Sequence, residues 1–597
     1  MRSSIFPAGS ILLAVGSVVR AATCGGSGET FDYIIAGAGT CGLVLANRLS
    51  ADPTIRVAVI EPGEDVRNNV NVTDPALFTV PFGTSIDWQY STTPQPAGGN
   101  RTIPFHAGKA IGGTSTINGM TYIRGDKAQF DAWETNLGNE GWNWETLYPY
   151  YKKVEKFTIP SAAQTAAGAT YDPEVHGEAG HVHTGFPFAL VNGSFHGLAA
   201  DSWAALGYAF NEEVNAGSVH GFSAWPQTLD RDLNIRFDAA RAYYYGVEDR
   251  PNLTLIEGTV KKIVWARSAA TGQGAVADGV EYVTPDGQNV RLTAAKEVIL
   301  SAGALRSPLI LESSGVGNPS LLNSLGIETE IDLPGVGEYL QEQPNTDLGW
   351  VDNLNLTGSA PYATFSTAQD LFGDDLSSIE ASTAAQIPAW AEKIAAASSH
   401  GAVAAANVEK LFRVQHDLIF KQNVTIGETL SALSQGIFIS AMWLLLPFSW
   451  GSVHLTSVDA INAPAIDPKY FFIDFDLDVQ IRLGRVAQKF WHTEPVSKFV
   501  GAGVLPEDGV LPLNATDEQW SSYISDTLAP NHHPIGTASM MSRELGGVVD
   551  PKLKVYGTEN VRVVDASILP LQFSGHLTAT LYAVAERAAE FILEAAS

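Results

Sequence analysis

A chain of 597 residues is longer than one hydrophobic core usually serves, so two domains or one unusually large one are expected. With 45% apolar and only 17% charged residues it is not a disordered chain, and a formal charge of −28 from 64 acidic against 36 basic residues repels phosphate backbones and anionic membranes, so neither nucleic acid nor membrane is an expected partner. Two cysteines, Cys24 and Cys41, exclude a disulfide scaffold and a cysteine-ligated zinc or iron–sulfur centre. Two free thiols are expected, because Cys41 reads as buried in a glycine-rich turn.

The first residues, MRSSIFPAGSILLAVGSVVRAA, carry Arg2, a short apolar stretch and small residues around position 21. They read as a secretory signal peptide over 1–21, since the apolar run is too short and too interrupted to span about 30 Å of hydrocarbon. The apolar run 437–449 is also too short to span and is broken by Pro447, so it reads as core. N-x-S/T sequons at Asn71, Asn100, Asn192, Asn252, Asn355, Asn423 and Asn514 fit a secreted, extracellular glycoprotein.

Residues 31–36 (FDYIIA) predict a strand. The stretch Gly37-Ala38-Gly39-Thr40-Cys41-Gly42 opens a helix with Leu43, Ala46 and Leu49 on one face. A second strand, 55–60, ends at Glu61, which stands 19 positions beyond Gly42. This is a G-x-G-x-x-G dinucleotide fingerprint in its strand–turn–helix context. Its glycines allow a tight turn, close approach of a pyrophosphate, and close helix–strand packing. The helix N-terminus offers unpaired N–H groups to phosphate, and Glu61 can accept from ribose hydroxyls. The pattern alone does not separate NAD from FAD.

Farther along stand HAGKAIGGTSTINGMTYIRG (106–125), SAGALRSPLILESSGVG (301–317), NVRVVDASILP (560–570) and SGHLTATLYAVAERA (574–588). With the first fingerprint they resemble the signature blocks of the glucose–methanol–choline (GMC) flavoprotein oxidoreductases, in the branch of secreted fungal glucose dehydrogenases and glucose oxidases. The resemblance implies an α/β fold (α+β taken as a whole). A Rossmann-like FAD domain, built from 28–150, 228–340 and 541–597, would hold an inserted substrate domain, 151–227 and 341–540, with an antiparallel sheet. It also implies FAD. Gly37, Gly39, Thr40, Cys41 and Gly42 would hold the pyrophosphate and Glu61 the ribose. Val260 would meet the adenine. Gly112, Gly113, Thr114, Asn118, Gly119 and Met120 would flank the flavin. Asp565 and Ala566 would reach the ribityl chain, and Leu577 and Thr578 the ring edge. Ile117 stands where some members carry a flavin-linking His, so noncovalent FAD is expected. Within 578–596, Leu581, Ala585, Ala588 and Ile592 predict a closing helix. The stretch 356–385, rich in Ser, Thr, Asp and Gly, looks least ordered.

Oxidising an alcohol needs a hydride acceptor and a base tuned near neutrality, a task suited to imidazole. Of 13 His, two stand where the family keeps its catalytic pair: His533 in Asn531-His532-His533-Pro534, expected as the base, and His576 in Ser574-Gly575-His576, expected to orient the hydroxyl. A third, acidic partner is not identifiable. His181-Val182-His183 lacks a third ligand, so no metal is expected.

Around the substrate the chain departs from the sugar-oxidising relatives. Ala529 replaces an Arg, Ala441 an acidic residue and Phe78 a Tyr; His532 fills a position usually aromatic. A pocket of Phe78, Ala441, Trp443, Ala529 and His532 leaves sugar hydroxyls unpaired. It suits a primary aryl, allylic or heterocyclic alcohol, including secondary-metabolite intermediates such as the patulin precursor, with O2 or a quinone as electron acceptor. The alternatives are a glucose dehydrogenase or oxidase, a non-redox cyclase on the same fold, and a secreted binding protein without flavin.

Overall fold

The structure is a computed structural model that describes residues 29–596, apart from 188–189, 191–193, 270–272, 355–357, 359–360, 435 and 459–463. The expected signal peptide, Cys24 and the sequons at Asn192 and Asn355 lie outside the described residues.

In chain order the framing elements are β1 (Thr30–Ala36), α1 (Thr40–Leu49), β2 (Val57–Glu61), β3 (Gly221–Ala224), β4 (Leu253–Glu257), β5 (Thr259–Arg267), β6 (Val276–Val283) and β7 (Asn289–Leu300). There follow β8 (Pro344–Asp352), β9 (Tyr362–Thr367), α2 (Leu376–Ala396), α3 (Ala405–Phe420), β10 (Thr425–Ser434), β11 (Ile437–Leu444), α4 (Asp474–Trp491), β12 (Val500–Leu505), β13 (Ala529–Pro530), β14 (Val561–Val563) and α5 (Leu577–Ala596).

One seven-stranded sheet runs β4-β2-β1-β7-β6-β5, with β14 beside β7. Its β4, β2, β1, β7 and β14 pairings are parallel, and β5–β6–β7 form an antiparallel meander. Buried parallel strands read as near-continuous apolar runs, as VAVIE and YIIA do here. Helix α1 is buried along almost its whole length, since the sheet lies on one side and α5 on the other. That approach needs glycine: a Cβ on Gly42 would fall 2.1 Å from the Gly37 carbonyl oxygen.

The second seven-stranded sheet runs β12-β8-β11-β10-β9-β3, with β13 on β8, and all its pairings are antiparallel. Helix α4 covers one face, where the Trp491 indole N–H donates to Ser440 Oγ at 2.8 Å. The apolar run 437–449 is indeed core, forming β11 and the segment after it. The expectation of little order in 356–385 fails. Within it β9 is buried along its length and α2 begins, burying Thr383; beyond it α2 presents Ile387, Trp390, Ala391 and Ile394 to a cluster with α3. Ser and Thr in a strand and Ala in a helix fold once tertiary burial favours them; composition alone underweights that.

The structure also corrects one sequon. Asn252 is buried, and its side-chain N–H2 donates to the carbonyls of Ser50, Asp52 and Ile55 at 3.0, 2.9 and 2.8 Å. That nitrogen closes the α1–β2 loop and has no room for a glycan. Asn100, Asn423 and Asn514 are exposed, and Asn71 is half-buried. Peptide mass analysis of secreted material should find Asn252 unmodified. Asn252→Ala should destabilise the fold by about 2–3 kcal/mol through lost hydrogen bonds and orphaned carbonyls, read as a lower midpoint in denaturant.

Candidate active site

The β1–α1 turn, residues Gly37 to Gly42, places Thr40 and Cys41 at the start of α1. At Gly39 a Cβ would meet nothing closer than 3.8 Å, so no protein atom demands glycine there. The opening lies against a second backbone turn. Gly112 N–H donates to Ala38 O at 2.8 Å, and a Cβ on Gly113 would fall 2.7 Å from Gly39 Cα. Glu61 is buried at the tip of β2, where each carboxylate oxygen accepts one backbone N–H, from Ala38 and Gly63, both at 2.9 Å. Burial pushes this carboxyl up to about 7, and its remaining lone pairs can accept from ribose hydroxyls. Gly258 N–H donates to Glu61 O at 3.1 Å, which sets Val260, two residues on in β5, at the edge of the same cradle.

Three other segments close on this opening. Asp565 is buried and accepts from Gly303 N–H at 2.9 Å, Ser307 Oγ–H and Ser567 N–H, with Ala566 following it. Thr114 Oγ accepts from Gly108 N–H at 3.1 Å, closing the turn that carries it. Asn118 Nδ2 donates to Thr578 Oγ at 3.0 Å, joining the turn Asn118-Gly119-Met120 to Leu577 and Thr578 at the start of α5. Arg236 donates to Asn118 Oδ1 at 2.7 Å and holds that amide in place. A glycine-lined cleft at a helix N-terminus, with a ribose-competent carboxylate at one end, fits a dinucleotide such as FAD.

The structure brings His533 and His576 together with ring centroids 5.0 Å apart and planes at 83°. Gln343 sits one residue before β8. Its Nε2 donates to Leu445 O at 3.1 Å, so Oε1 is the atom facing His533, 2.8 Å from Nδ1. That oxygen can only accept, so Nδ1 carries the hydrogen and Nε2 keeps its lone pair. Asn531 Nδ2 donates to the same oxygen at 3.1 Å. Burial drives the His533 pKa well below 6.5, with smaller contributions from His576 and His532, so the ring is neutral at neutral pH.

His576 is held differently. Its Nε2 lies 3.2 and 3.3 Å from the two carboxylate oxygens of Glu428, which is buried in β10. Burial raises the Glu428 pKa, and His576 opposes the rise. The carboxylate takes the Nε2 hydrogen, which leaves Nδ1 as the other working atom of the ring. Trp443 stands edge-on to His576 at 6.1 Å and opposite Glu428 across the β10–β11 ladder.

Glu428 and Gln343 were not found by reading the sequence. The only signal for Glu428 is one charge within TIGETLSALS; for Gln343 there is none, because its role comes from a contact 190 residues away.

The expected pocket residues occupy two places. Ala441 and Trp443 stand on one face of β11, and Ala529 in β13 reaches the same row through Asn345 of β8. Phe78 is 40% exposed, with its ring edge toward Gly119 in the Asn118–Met120 turn. His532 has φ +60 and packs edge-on against Phe105 at 5.4 Å, beside Phe82 and His106. Its Nδ1 accepts from His106 N–H at 3.3 Å, and burial lowers it to about 3, so it is a neutral wall group. His181 and His183 stand apart from the site, stacked on Tyr243 and Phe237.

Family models described as GMC oxidoreductase match residues 31–345 and 447–585. A glucose oxidase-like protein, fsoC, of Humicola fuscoatra is 55% identical over 98% of this chain and 99% of its own. A glucose oxidase of Penicillium chrysogenum is 36% identical over 95% of this chain and 92% of its own. Among solved structures, an FAD-dependent oxidoreductase from Chaetomium thermophilum superposes with a TM-score of 0.85 at 30% identity, covering 95% of this chain and 99% of that one. A fungal aryl-alcohol oxidase superposes at 0.81 and 27% identity, covering 95% and 99%. Two matched regions in the family's order, a nucleotide cradle and relatives aligned along nearly their whole length lead to one conclusion: the chain belongs to the GMC oxidoreductase family.

Proposed function

We propose that this enzyme oxidises the CH–OH group of a primary aryl, allylic or heterocyclic alcohol to the carbonyl, with His533 as base and His576 as the group that orients the hydroxyl. The observation that carries this reading is the pair of facing imidazoles, one with its Nε2 lone pair free and the ring neutral. As a GMC oxidoreductase the chain is an FAD-dependent enzyme of CH–OH donors. FAD, when bound, supplies the hydride acceptor.

His533 Nε2 takes the hydroxyl proton while the carbinol hydride leaves, so the alcohol loses two electrons and two hydrogens and becomes an aldehyde. Gln343 keeps the other ring nitrogen protonated and so fixes the working tautomer. His576 Nδ1 donates to the substrate oxygen as charge grows there, and the Glu428 carboxylate balances the positive charge of a protonated ring. We assign Gly37 to Gly42, Glu61, Gly112 to Thr114, Asn118 to Met120, Val260, Asp565, Ala566, Leu577 and Thr578 to the cofactor. The first sheet is then the FAD domain and the second the substrate domain. Ile117 is buried with Val66, Val72, Ile86 and Ala110, a setting without a nucleophile, which supports noncovalent FAD.

The small side chains of Ala441 and Ala529 beside Trp443 support an aryl or allylic substrate, as does the likeness to an aryl-alcohol oxidase. Oxidation of glucose is the second reading, favoured by relatives named glucose oxidase. We propose secretion through residues 1–21, and O2 or a quinone as acceptor.

Anaerobic bleaching of the flavin separates these readings. Cinnamyl or benzyl alcohol should reduce the enzyme with a higher second-order rate than D-glucose; a preference for glucose selects the second reading. His533→Ala should slow bleaching by about 10²–10⁴-fold, and near-normal turnover would remove His533 from the mechanism. Glu428→Gln should slow it roughly 10–100-fold through loss of a charge-assisted hydrogen bond. The base acts in its neutral form and is lost as pH falls through its folded pKa. Because burial lowers that value, the acid limb of the bleaching rate should lie below pH 6.5. Acid precipitation should leave yellow FAD in the supernatant and a colourless pellet.

A further inference from the structure

The row of residues that holds the catalytic pair continues outward along β8. Asn345 stands opposite Trp443 on one side and Ala529 on the other, and Asp347 stands opposite Ala441. Directly opposed residues of an antiparallel ladder point to the same face, and alternate residues to opposite faces. Leu348, Trp350, Phe438 and Met442 pack with Phe490 and Trp491 of α4 on one face. Asn345, Asp347, Ala441 and Trp443 therefore share the other face, the one that meets His576. The next row pairs Ala441 with Leu430 of β10, so Asp347 is a carboxylate at the end of an apolar row.

One oxygen of each side chain lacks a partner. Asn345 Oδ1 and Asp347 Oδ1 are buried oxygens with no hydrogen-bond donor among the described residues. The nearby Tyr523 hydroxyl donates to the Asp347 backbone carbonyl and pins the strand, leaving the carboxylate unused. Burial alone pushes the Asp347 carboxyl up to about 6. Asp347 and Asn345 are half-buried, and a buried carboxylate oxygen beside a second orphaned acceptor costs stability unless a donor arrives from outside the chain.

We infer that Asp347, assisted by Asn345, is a specificity site of the substrate cavity that receives a second hydrogen-bond donor, a hydroxyl or an ammonium, carried on the alcohol about one ring's length from its reacting carbinol. The spacing follows from the strand. Asn345 lies in the row of Trp443, the neighbour of His576, and one pleat outward is about 7 Å. The inference rests on the reading of the site as an alcohol oxidase or dehydrogenase. It also changes that reading's substrate. Ala441 removes a polar group from β11, while Asp347 supplies one from the adjacent strand.

The test uses FAD-loaded enzyme under anaerobic conditions and the isosteric pair 1,4-benzenedimethanol and 4-methylbenzyl alcohol. Saturation of the bleaching rate separates the dissociation constant from the limiting rate. The diol should be favoured about 10–100-fold in second-order rate, chiefly through the dissociation constant, beyond the twofold from its two equivalent carbinols. Asp347→Leu should bring the ratio close to two, and Asp347→Asn, which keeps an acceptor but loses the charge, should give an intermediate ratio. 4-(Aminomethyl)benzyl alcohol distinguishes the donors: a preference for it over the diol assigns an ammonium, and the reverse a hydroxyl. No preference in the wild type, or an unchanged ratio in Asp347→Leu, overturns the inference. Should that variant fail to retain FAD, an unchanged ratio in Asp347→Asn overturns it instead. Absence of bleaching by every alcohol overturns the alcohol reading itself, whereas bleaching with an invariant ratio overturns this inference alone.

Discussion

Asp126 holds the site together. It is buried, and its carboxylate joins two segments far apart in the chain. One oxygen accepts from Val219 N–H at 2.9 Å; the other accepts from Thr425 N–H and Oγ–H at 2.8 and 2.7 Å. Thr425 opens β10, three residues before Glu428. The Asp126 N–H donates to Ser574 Oγ at 3.0 Å, and the adjoining His576 N–H donates to Ile123 O at 3.0 Å. A Cβ on Gly575 would fall 2.4 Å from Arg124 O, so the two segments lie backbone to backbone. The histidine of one sheet system and the glutamate of the other thus share one anchor. A hydrogen bond from a charged group in a dry interior is among the stronger ties a chain can make, and it fixes geometry where catalysis tolerates little error.

The two imidazoles meet opposite neighbours, and that sets their roles. His533 faces a neutral amide, which selects a tautomer without stabilising positive charge. His576 faces a carboxylate, which stabilises charge when the ring is protonated. A second carboxyl, Glu342, is buried beside the site with neither oxygen hydrogen-bonded among the described residues, and burial pushes it up to about 8. The Asn531 N–H donates to Gln343 O at 3.0 Å and ties down the loop on which His532 adopts a left-handed conformation.

Local chemistry was legible wherever the residue type answers to its immediate neighbours. The β1–α1–β2 unit, Glu61 at its tip and the closing helix α5 stand where periodicity and turn chemistry put them, and the apolar run 437–449 is core as its length implied. The errors came from context. The 356–385 stretch looked loose by composition, yet within it the strand β9 is buried along its length and α2 begins. Asn252 carries a sequon but spends its amide on three carbonyls of a neighbouring loop.

The sequence by itself determined the family, the nucleotide-binding unit and the two histidines, because each is written in a short run of residues whose backbone demands or side-chain chemistry are local. Only the tertiary structure decided what those histidines face and what lines the cavity. Glu428 and Gln343 act through contacts 148 and 190 residues distant along the chain. Asp347 stands beside Ala441 only because strand register sets it there. Register is fixed by which whole faces are buried, a property of two sheets packed together, and no window of residues contains it.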